Sequence, residues 1–208
     1  MIHVPCEQGS PEWYEARKGI PTASEFKSIL TQKTLKFSAT SEKYAAQLIG
    51  EILSPILPEN VENYTNRAMN WGRETEEEAR RYFTLRTGFE VRTCGFCKTD
   101  DGRFGCSPDG LVVDDKGEIV GGCEIKCPQP ANHVEYLLGN VLPDEHRAQV
   151  HGGLIVTGLP RWWFLSYHPG MDPLLVSVVP DSYTSALRAA LETFWSEYQT
   201  KLARVRGQ

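Results

Sequence analysis

Ser107-Pro108-Asp109-Gly110, followed downstream by Glu124-Ile125-Lys126, supplies two carboxylates and an ammonium that the intervening sequence can bring together. Between the blocks, Asp114-Asp115-Lys116-Gly117 reads as a turn joining two apolar strand segments, so the unit is a β-hairpin. With Lys116 and Gly117 as a two-residue loop, Asp109 falls opposite Glu124 and Ser107 opposite Lys126; a longer loop shifts the pairing by about one residue. Opposed side chains share a face, as do residues two apart on one strand. Asp109, Glu124 and Lys126 therefore converge while Ile125 turns into the core. Carboxylates so placed repel, and a hard divalent cation, Mg²⁺ or Mn²⁺, would offset them. Two such ions about 3.5 to 4 Å apart stabilise both the attacking and the leaving oxygen of a phosphodiester. Lys126 would then orient or help deprotonate the attacking water. The bland alternative for the trio is a set of solvated charges or a surface salt bridge.

A third carboxylate comes from a helix. Ala68, Gly72, Ala79 and Phe83 line one small or apolar stripe at helical spacing, and Glu76 lies at its edge, whereas Glu74, Glu77 and Glu78 fall outside it. Its ordinary alternative is an i,i+4 partnership with Arg80.

The elements that would position these groups can be read from periodicity. Helices are predicted over Pro11 to Lys18, Thr22 to Leu30, Ser41 to Leu53, Asn66 to Arg86, a stretch after Pro128, Pro143 to Val156 and Ser182 to Arg204. Strands are predicted over Phe89 to Cys97, Leu111 to Val113, Ile119 to Lys126, Arg161 to Tyr167 and Leu174 to Val179. Asp-Gly and Lys-Gly punctuate them as turns, and Gly152 and Gly153 sit in a helix at some cost. Helices flanking a short mixed β-sheet give an α/β or α+β class. The 208 residues suit one domain, with a single polar, Pro-containing stretch from Ser54 to Asn66.

A net charge of −5 argues against a protein that coats nucleic acid nonspecifically, but not against a nucleic-acid enzyme whose carboxylates hold metal ions. No apolar run is long enough to span a bilayer and the N-terminus lacks the features of a signal peptide, so a cytoplasmic location and no membrane partner are expected. The six cysteines are then free thiols, with a zinc site over Cys94, Cys97, Cys106, Cys123 and Cys127 as the lesser alternative. His133, His146, His151 and His168 lack the paired spacing of a zinc hydrolase. Trp162-Trp163 reads as core or subunit contact rather than a base-stacking platform.

Pro108-Asp109 with Glu124-Ile125-Lys126 resembles the PD-(D/E)xK nuclease superfamily, and within it the chain resembles the phage lambda exonuclease and YqaJ viral recombinase family. The likeness runs over roughly residues 9 to 180. It is carried by Gly9-Ser10-Pro11-Glu12-Trp13 with Arg17, Gly19-Ile20-Pro21-Thr22-Ala23-Ser24-Glu25, Trp71-Gly72 with Glu76, Cys106-Ser107-Pro108-Asp109-Gly110, Glu124-Ile125-Lys126-Cys127-Pro128 and Ala148-Gln149-Val150. The resemblance implies a restriction-endonuclease-like core and a single nuclease domain over residues 1–208. It also implies a Mg²⁺-dependent exonuclease that degrades the 5′ strand of linear double-stranded DNA and leaves a 3′ strand for a single-strand annealing protein. Members of the lambda type form a homotrimer ring around DNA, and the setting is a bacterial host cell carrying a phage or prophage.

By the same resemblance Asp109, Glu124 and the Ile125 carbonyl hold metal, Glu76 supports the site, and Lys126 and Gln149 lie near the attacking water. Arg17, Ser24 and Ser107 hold the DNA 5′-phosphate. Physical reasoning reaches part of this pocket independently: Thr22 or Ser24 can cap a helix whose free N–H groups attract anions, and Arg17 ends the helix before it. By the resemblance Met69 takes the position of an apolar wedge between bases, although the sequence alone reads a helical Met as core packing; Lys33 and Lys36 are candidate DNA contacts or, equally, residues of a solvated loop. Two other functions compete. One is a sequence-specific or structure-specific endonuclease on the same fold; the other is a catalytically silent DNA-binding module of a recombination complex.

Overall fold

In this computed structural model the described residues are 1–31, 34–54 and 67–207, with 67–74 described by backbone alone. Helix α1 (Pro11–Arg17) opens where the Ser10 hydroxyl accepts the Trp13 N–H and Pro11 occupies a first-turn position that needs no donor. The predicted helix from Thr22 proves shorter and tighter, a 3-10 helix over Ala23–Ser28. Thr22 makes no side-chain capping bond. Its N–H goes instead to the Tyr44 hydroxyl at 3.0 Å, and its backbone bridges to Gly105. So brief a helix provides no anion-binding N-terminus, which corrects the capping argument for Thr22 and Ser24.

Helices α2 (Ser41–Leu53) and α3 (Arg67–Thr87) follow. The stretch predicted as one strand from Phe89 is two, β2 (Glu90–Arg92) and β3 (Phe96–Lys98), in different sheets. The break falls at Gly95, where an added Cβ would stand 2.2 Å from the Cys6 carbonyl oxygen, so only a glycine lets the chain pass there. β3 lies between β1 (Ile2–Val4) and β4 (Gly105–Cys106) in a three-stranded sheet whose outer strands are too short to carry a periodic signal in the sequence.

The larger sheet has the order β2-β5-β6-β7-β8, built from β5 (Gly110–Val113), β6 (Ile119–Lys126), β7 (Trp162–Ser166) and β8 (Leu174–Val178). All its neighbours are antiparallel except β6 and β7, which are parallel and joined by α4 (Pro130–Gly139) and α5 (Asp144–Thr157). Helix α6 (Ser182–Val205) closes the chain, capped by Asp181 in a reciprocal box with Thr184. Mixed sheet and flanking helices make the class α/β. On one face Leu111, Trp162 and Phe164 pack against α2, α5, α6 and the 3-10 helix; on the other, Val112, Cys123, Ile125, Trp163 and Leu165 pack against Ala79 and Phe83 of α3.

The β5–β6 hairpin keeps the predicted register by an unpredicted route. Its loop is one residue longer, with Asp114 N–H bonded to the Glu118 carbonyl and Gly117 at φ +82°. That shifts Val113 opposite Ile119, and a bulge at Val120 absorbs the extra residue, so that Val112 faces Gly121 and Gly110 faces Cys123. Gly110 is strand rather than turn: a Cβ there would meet Val91 at 2.2 Å.

The two tryptophans of β7 are core, 1% and 7% exposed, and glycines make room for them. Added Cβ atoms at Gly122 and Gly153 would come within 2.5 and 2.6 Å of the Trp162 ring, so β6 and α5 close on that ring from two sides. Gly153→Ala should therefore lose about 1–3 kcal/mol to overpacking, more than the helix-propensity gain of about 1 kcal/mol returns. Gly50→Ala in α2, where a Cβ meets nothing within 4 Å, should stabilise by about 0.5–1 kcal/mol. Urea denaturation of both variants checks the pair; a Gly153→Ala midpoint at or above wild type would contradict the packing argument.

Candidate active site

The ladder between β5 and β6 ends at Gly110 and Cys123, but β6 runs on through Glu124, Ile125 and Lys126, paired there only with β7. Asp109 fills the vacated edge. Its N–H donates to the Cys123 carbonyl at 3.2 Å, and its Oδ2 accepts the Ile125 N–H at 2.6 Å, a carboxylate standing where a strand residue would be. The Lys126 carbonyl accepts from Tyr167 N–H on the β7 side. Backbone groups alternate along a strand, so the Ile125 carbonyl faces the opposite edge, toward Asp109. Ile125 itself is buried against α3, which turns its neighbours Glu124 and Lys126 to the other face. Glu124 is 2% exposed, and its Oε1 accepts from Lys126 Nζ at 2.5 Å.

Helix α3 brings Glu76 within electrostatic reach of Glu124 and Lys126, half-buried at the edge of the stripe formed by Ala79 and Phe83. Arg80 pairs with it, and Arg80 Nη2 also donates to the Asp109 carbonyl at 3.2 Å. Arg80 thus ties the helix to the acid-bearing segment, a role the sequence signalled only as i,i+4 spacing. Its Nε is buried with no hydrogen-bond partner among the described residues.

Burial, reinforced by the Asp109 charge, pushes Glu124 up to about 8 against the pull of Lys126. Burial raises Asp109 as well, opposed by Lys126, the Ile125 N–H and Arg80. For Lys126 burial favours the neutral amine, but Glu124 and Asp109 outweigh it and hold the ammonium charged. Burial and then the Lys126 charge press His146 down to about 4, so that imidazole stays neutral.

The donor set suits a hard cation. Two crowded carboxylates and a backbone carbonyl offer oxygen only, and the raised Glu124 and Asp109 are acids short of positive charge. Among the described residues no three side chains of His, Cys, Asp and Glu group closely enough to enclose a metal. Any ion here would complete its shell with the carbonyl, water and phosphate, as Mg²⁺ does.

The other predicted residues fall into two neighbourhoods. Gln149 lies on α5 between His146 and Gly153 at helical spacing, on the side that meets β7; the His146 ring stacks on Phe164, the β7 partner of Glu124. Gln149 forms no hydrogen bond with Asp109, Glu124 or Lys126. Ser107 is not paired with Lys126, because the ladder stops at Gly110. Its hydroxyl instead accepts from Arg17 Nη1 at 3.2 Å and from the Trp13 indole N–H at 2.8 Å. Ser24 contacts Thr22 at 3.3 Å, on the segment that bridges to Gly105 just ahead of Ser107. Gln8 Nε2 donates to the carbonyls of Cys94 and Pro108 at 2.7 and 2.8 Å, fixing the residue before Asp109. Lys36 is on an exposed loop, where its carbonyl accepts from the Thr31 hydroxyl. Lys33 and the side chain of Met69 lie outside the described residues.

All six cysteines are free and four are buried, as expected for thiols in a core; Cys94 and Cys97 approach to 3.4 Å. Among the described residues no helix is long and apolar enough to cross a membrane.

The chain matches the YqaJ-like viral recombinase domain over residues 12–160. It is similar to an alkaline exonuclease, LHK-Exo, from Laribacter hongkongensis, with 27% identity and a TM-score of 0.79 over 95% of this chain and 96% of that one. The complex of that protein with dAMP agrees equally well. A phage-related exonuclease from Haemophilus somnus shares the fold, with a TM-score of 0.59 and 10% identity over 88% of this chain and 96% of that one. No curated protein matches the chain in sequence. The matched domain spans Trp13 to Gln149, every residue of the acid cluster included, and the chain belongs to the YqaJ-like viral recombinase family.

Proposed function

We propose that this chain is a Mg²⁺-dependent 5′-to-3′ exonuclease on linear double-stranded DNA that leaves 3′ single-stranded overhangs. The observation that carries this reading is the pairing of the Asp109, Glu124 and Lys126 cluster with a second, cationic pocket at Arg17 and Ser107. Ser107 and Asp109 are two residues apart, at most about 7 Å along the chain. A terminal phosphate held at Ser107 would leave the next phosphodiester over the acids. Among the described residues no carboxylate ion-pairs with Arg17; burial depresses its basicity against the longer-range pull of Glu51 and Glu25, and an anionic ligand would add a direct partner. Support also comes from the similarity to an alkaline exonuclease that forms a complex with dAMP.

In this mechanism Asp109, Glu124 and the Ile125 carbonyl would hold the divalent ions, with Glu76 supporting the site from α3. Bound there, Mg²⁺ or Mn²⁺ would polarise the scissile phosphate and lower the pKa of the attacking water in a two-ion hydrolysis. Lys126, held protonated by its acids, orients that water and offsets charge on the phosphate, with Gln149 beside it. Arg17, Ser24 and Ser107 fix the 5′ end, and Met69, Lys33 and Lys36 engage the duplex. The resemblance of the chain supports assembly as a homotrimer ring and transfer of the 3′ strand to a single-strand annealing protein.

The test is digestion of linear duplex bearing 5′-phosphate or 5′-hydroxyl, with Mg²⁺. Lys126→Ala should lose cleavage by about 10²-fold or more while still binding DNA, and Arg17→Ala should lose the preference for 5′-phosphate. Digestion from the 3′ end, an active Lys126→Ala variant, or cutting of closed circular DNA would reject the reading, the last in favour of an endonuclease.

Protons and metal should compete. Burial and the Asp109 charge push Glu124 up to about 8, so protons and a divalent ion compete for the same carboxylate near neutral pH. Mg²⁺ binding should weaken as pH falls from about 8 to 6 and level off above, with proton release at pH 7. Calorimetry in two buffers of different ionisation enthalpy measures this, and pH-independent binding would contradict it.

A further inference from the structure

The terminal-phosphate reading gives Ser107 a ligand but leaves open which way its hydroxyl hydrogen points, and Trp13 answers that. Ser107 Oγ accepts from the Trp13 indole N–H at 2.8 Å and from Arg17 Nη1 at 3.2 Å. A serine hydroxyl has two acceptor lone pairs and one donor hydrogen. Two protein donors fill both lone pairs, so only the hydrogen remains to meet a ligand. Trp13 also shapes the other half of the pocket: the Arg17 guanidinium carbon lies 3.9 Å from the Trp13 ring centroid, with Phe96 further off at 5.8 Å. The ring face holds the guanidinium without neutralising it, and no competing carboxylate pairs with Arg17 among the described residues. One aromatic residue thereby fixes both groups. Trp13 can do so because α1 carries it one helical turn before Arg17, while β4 delivers Ser107 immediately after Cys106.

We propose that Trp13 is a positioning residue that makes this pocket a donor-only receptor for a terminal phosphate monoester, holding Arg17 by its ring and turning the Ser107 hydroxyl hydrogen outward by its N–H. The inference rests on the terminal-phosphate reading. A 5′-hydroxyl end, a weaker acceptor without charge, gains little from such a pocket; a phosphate, all acceptor oxygens, gains from every donor.

The experiment measures binding of the full chain to short duplexes ending in 5′-phosphate or 5′-hydroxyl, by fluorescence anisotropy in EDTA so that no cleavage intervenes. Trp13→Phe keeps a stacking ring and loses only the N–H. It should lower the phosphate-to-hydroxyl affinity ratio about tenfold, the equivalent of one charge-assisted hydrogen bond, with hydroxyl-ended binding unchanged. Trp13→Ala should lower the ratio further, toward that of Arg17→Ala. In a Ser107→Ala background the Trp13→Phe effect should vanish, because its route runs through that hydroxyl. A purely structural loss would weaken both ends alike and leave the ratio intact. If Trp13→Phe and Trp13→Ala keep the wild-type ratio while Arg17→Ala loses it, or if the Trp13→Phe effect persists undiminished without Ser107, the role of Trp13 is refuted and the phosphate pocket survives. If Arg17→Ala also keeps the ratio, both fall together.

Discussion

Glu124 lies out of reach of water with Asp109 close by, and the chain must hold two acids together where neither charge is well solvated. Lys126 and Arg80 are its answer. Lys126 bonds Glu124 directly, and Arg80 reaches Asp109 through its carbonyl while pairing with Glu76. Charges so arranged are costly to bring together and costlier to separate, since removing one partner strands the other without solvent. The compensation is incomplete: Glu124 is still pushed up to about 8 with Lys126 in contact. An acid cluster that its own cations do not fully satisfy is a place where a divalent ion gains more than it would at the surface.

Holding that cluster in register falls to elements remote from it. The three-residue loop at Asp115 to Gly117 would slide Asp109 past Glu124 were it not for the bulge at Val120. The Trp162 ring, buried between Gly122 and Gly153, sets how closely α5 approaches the sheet, and with it where His146 and Gln149 stand relative to the end of β6. Gln8 clamps the Pro108 carbonyl from the far side. None of these residues needs chemistry of its own to matter to the site.

The legible parts of the molecule were those fixed by local rules. The bounds of α2 and β6 follow from periodicity, and the Asp109–Glu124 juxtaposition from turn chemistry and strand alternation, even though a longer loop and a bulge replaced the simple turn. What escaped depends on contacts between distant residues. The split at Gly95 is dictated by Cys6, the Trp13 and Arg17 bonds by Ser107, and the Gln8 clamp by Cys94 and Pro108. β1 and β4 are too short to show a period, and the 3-10 helix at Ala23–Ser28 looks helical in sequence because its apolar spacing barely differs from that of an α-helix.

The site's position follows from a mismatch of strand lengths. Because β6 continues past the start of β5, its last residues keep a hydrogen-bonding edge without a strand to fill it, and an unpaired buried edge is not stable. Asp109 resolves this by turning its carboxylate onto the Ile125 N–H, which commits an acid to the sheet plane just where Glu124 and Lys126 project from it. The middle residue of Glu124-Ile125-Lys126 is therefore as constrained as its neighbours. It must be apolar to anchor in the α3-side core, and its amide and carbonyl must face the open edge for Asp109 to be caught there. A polar residue at that position would undo the anchor and rotate both flanking charges, so the apolar middle of the motif belongs to the chemistry as much as to the core.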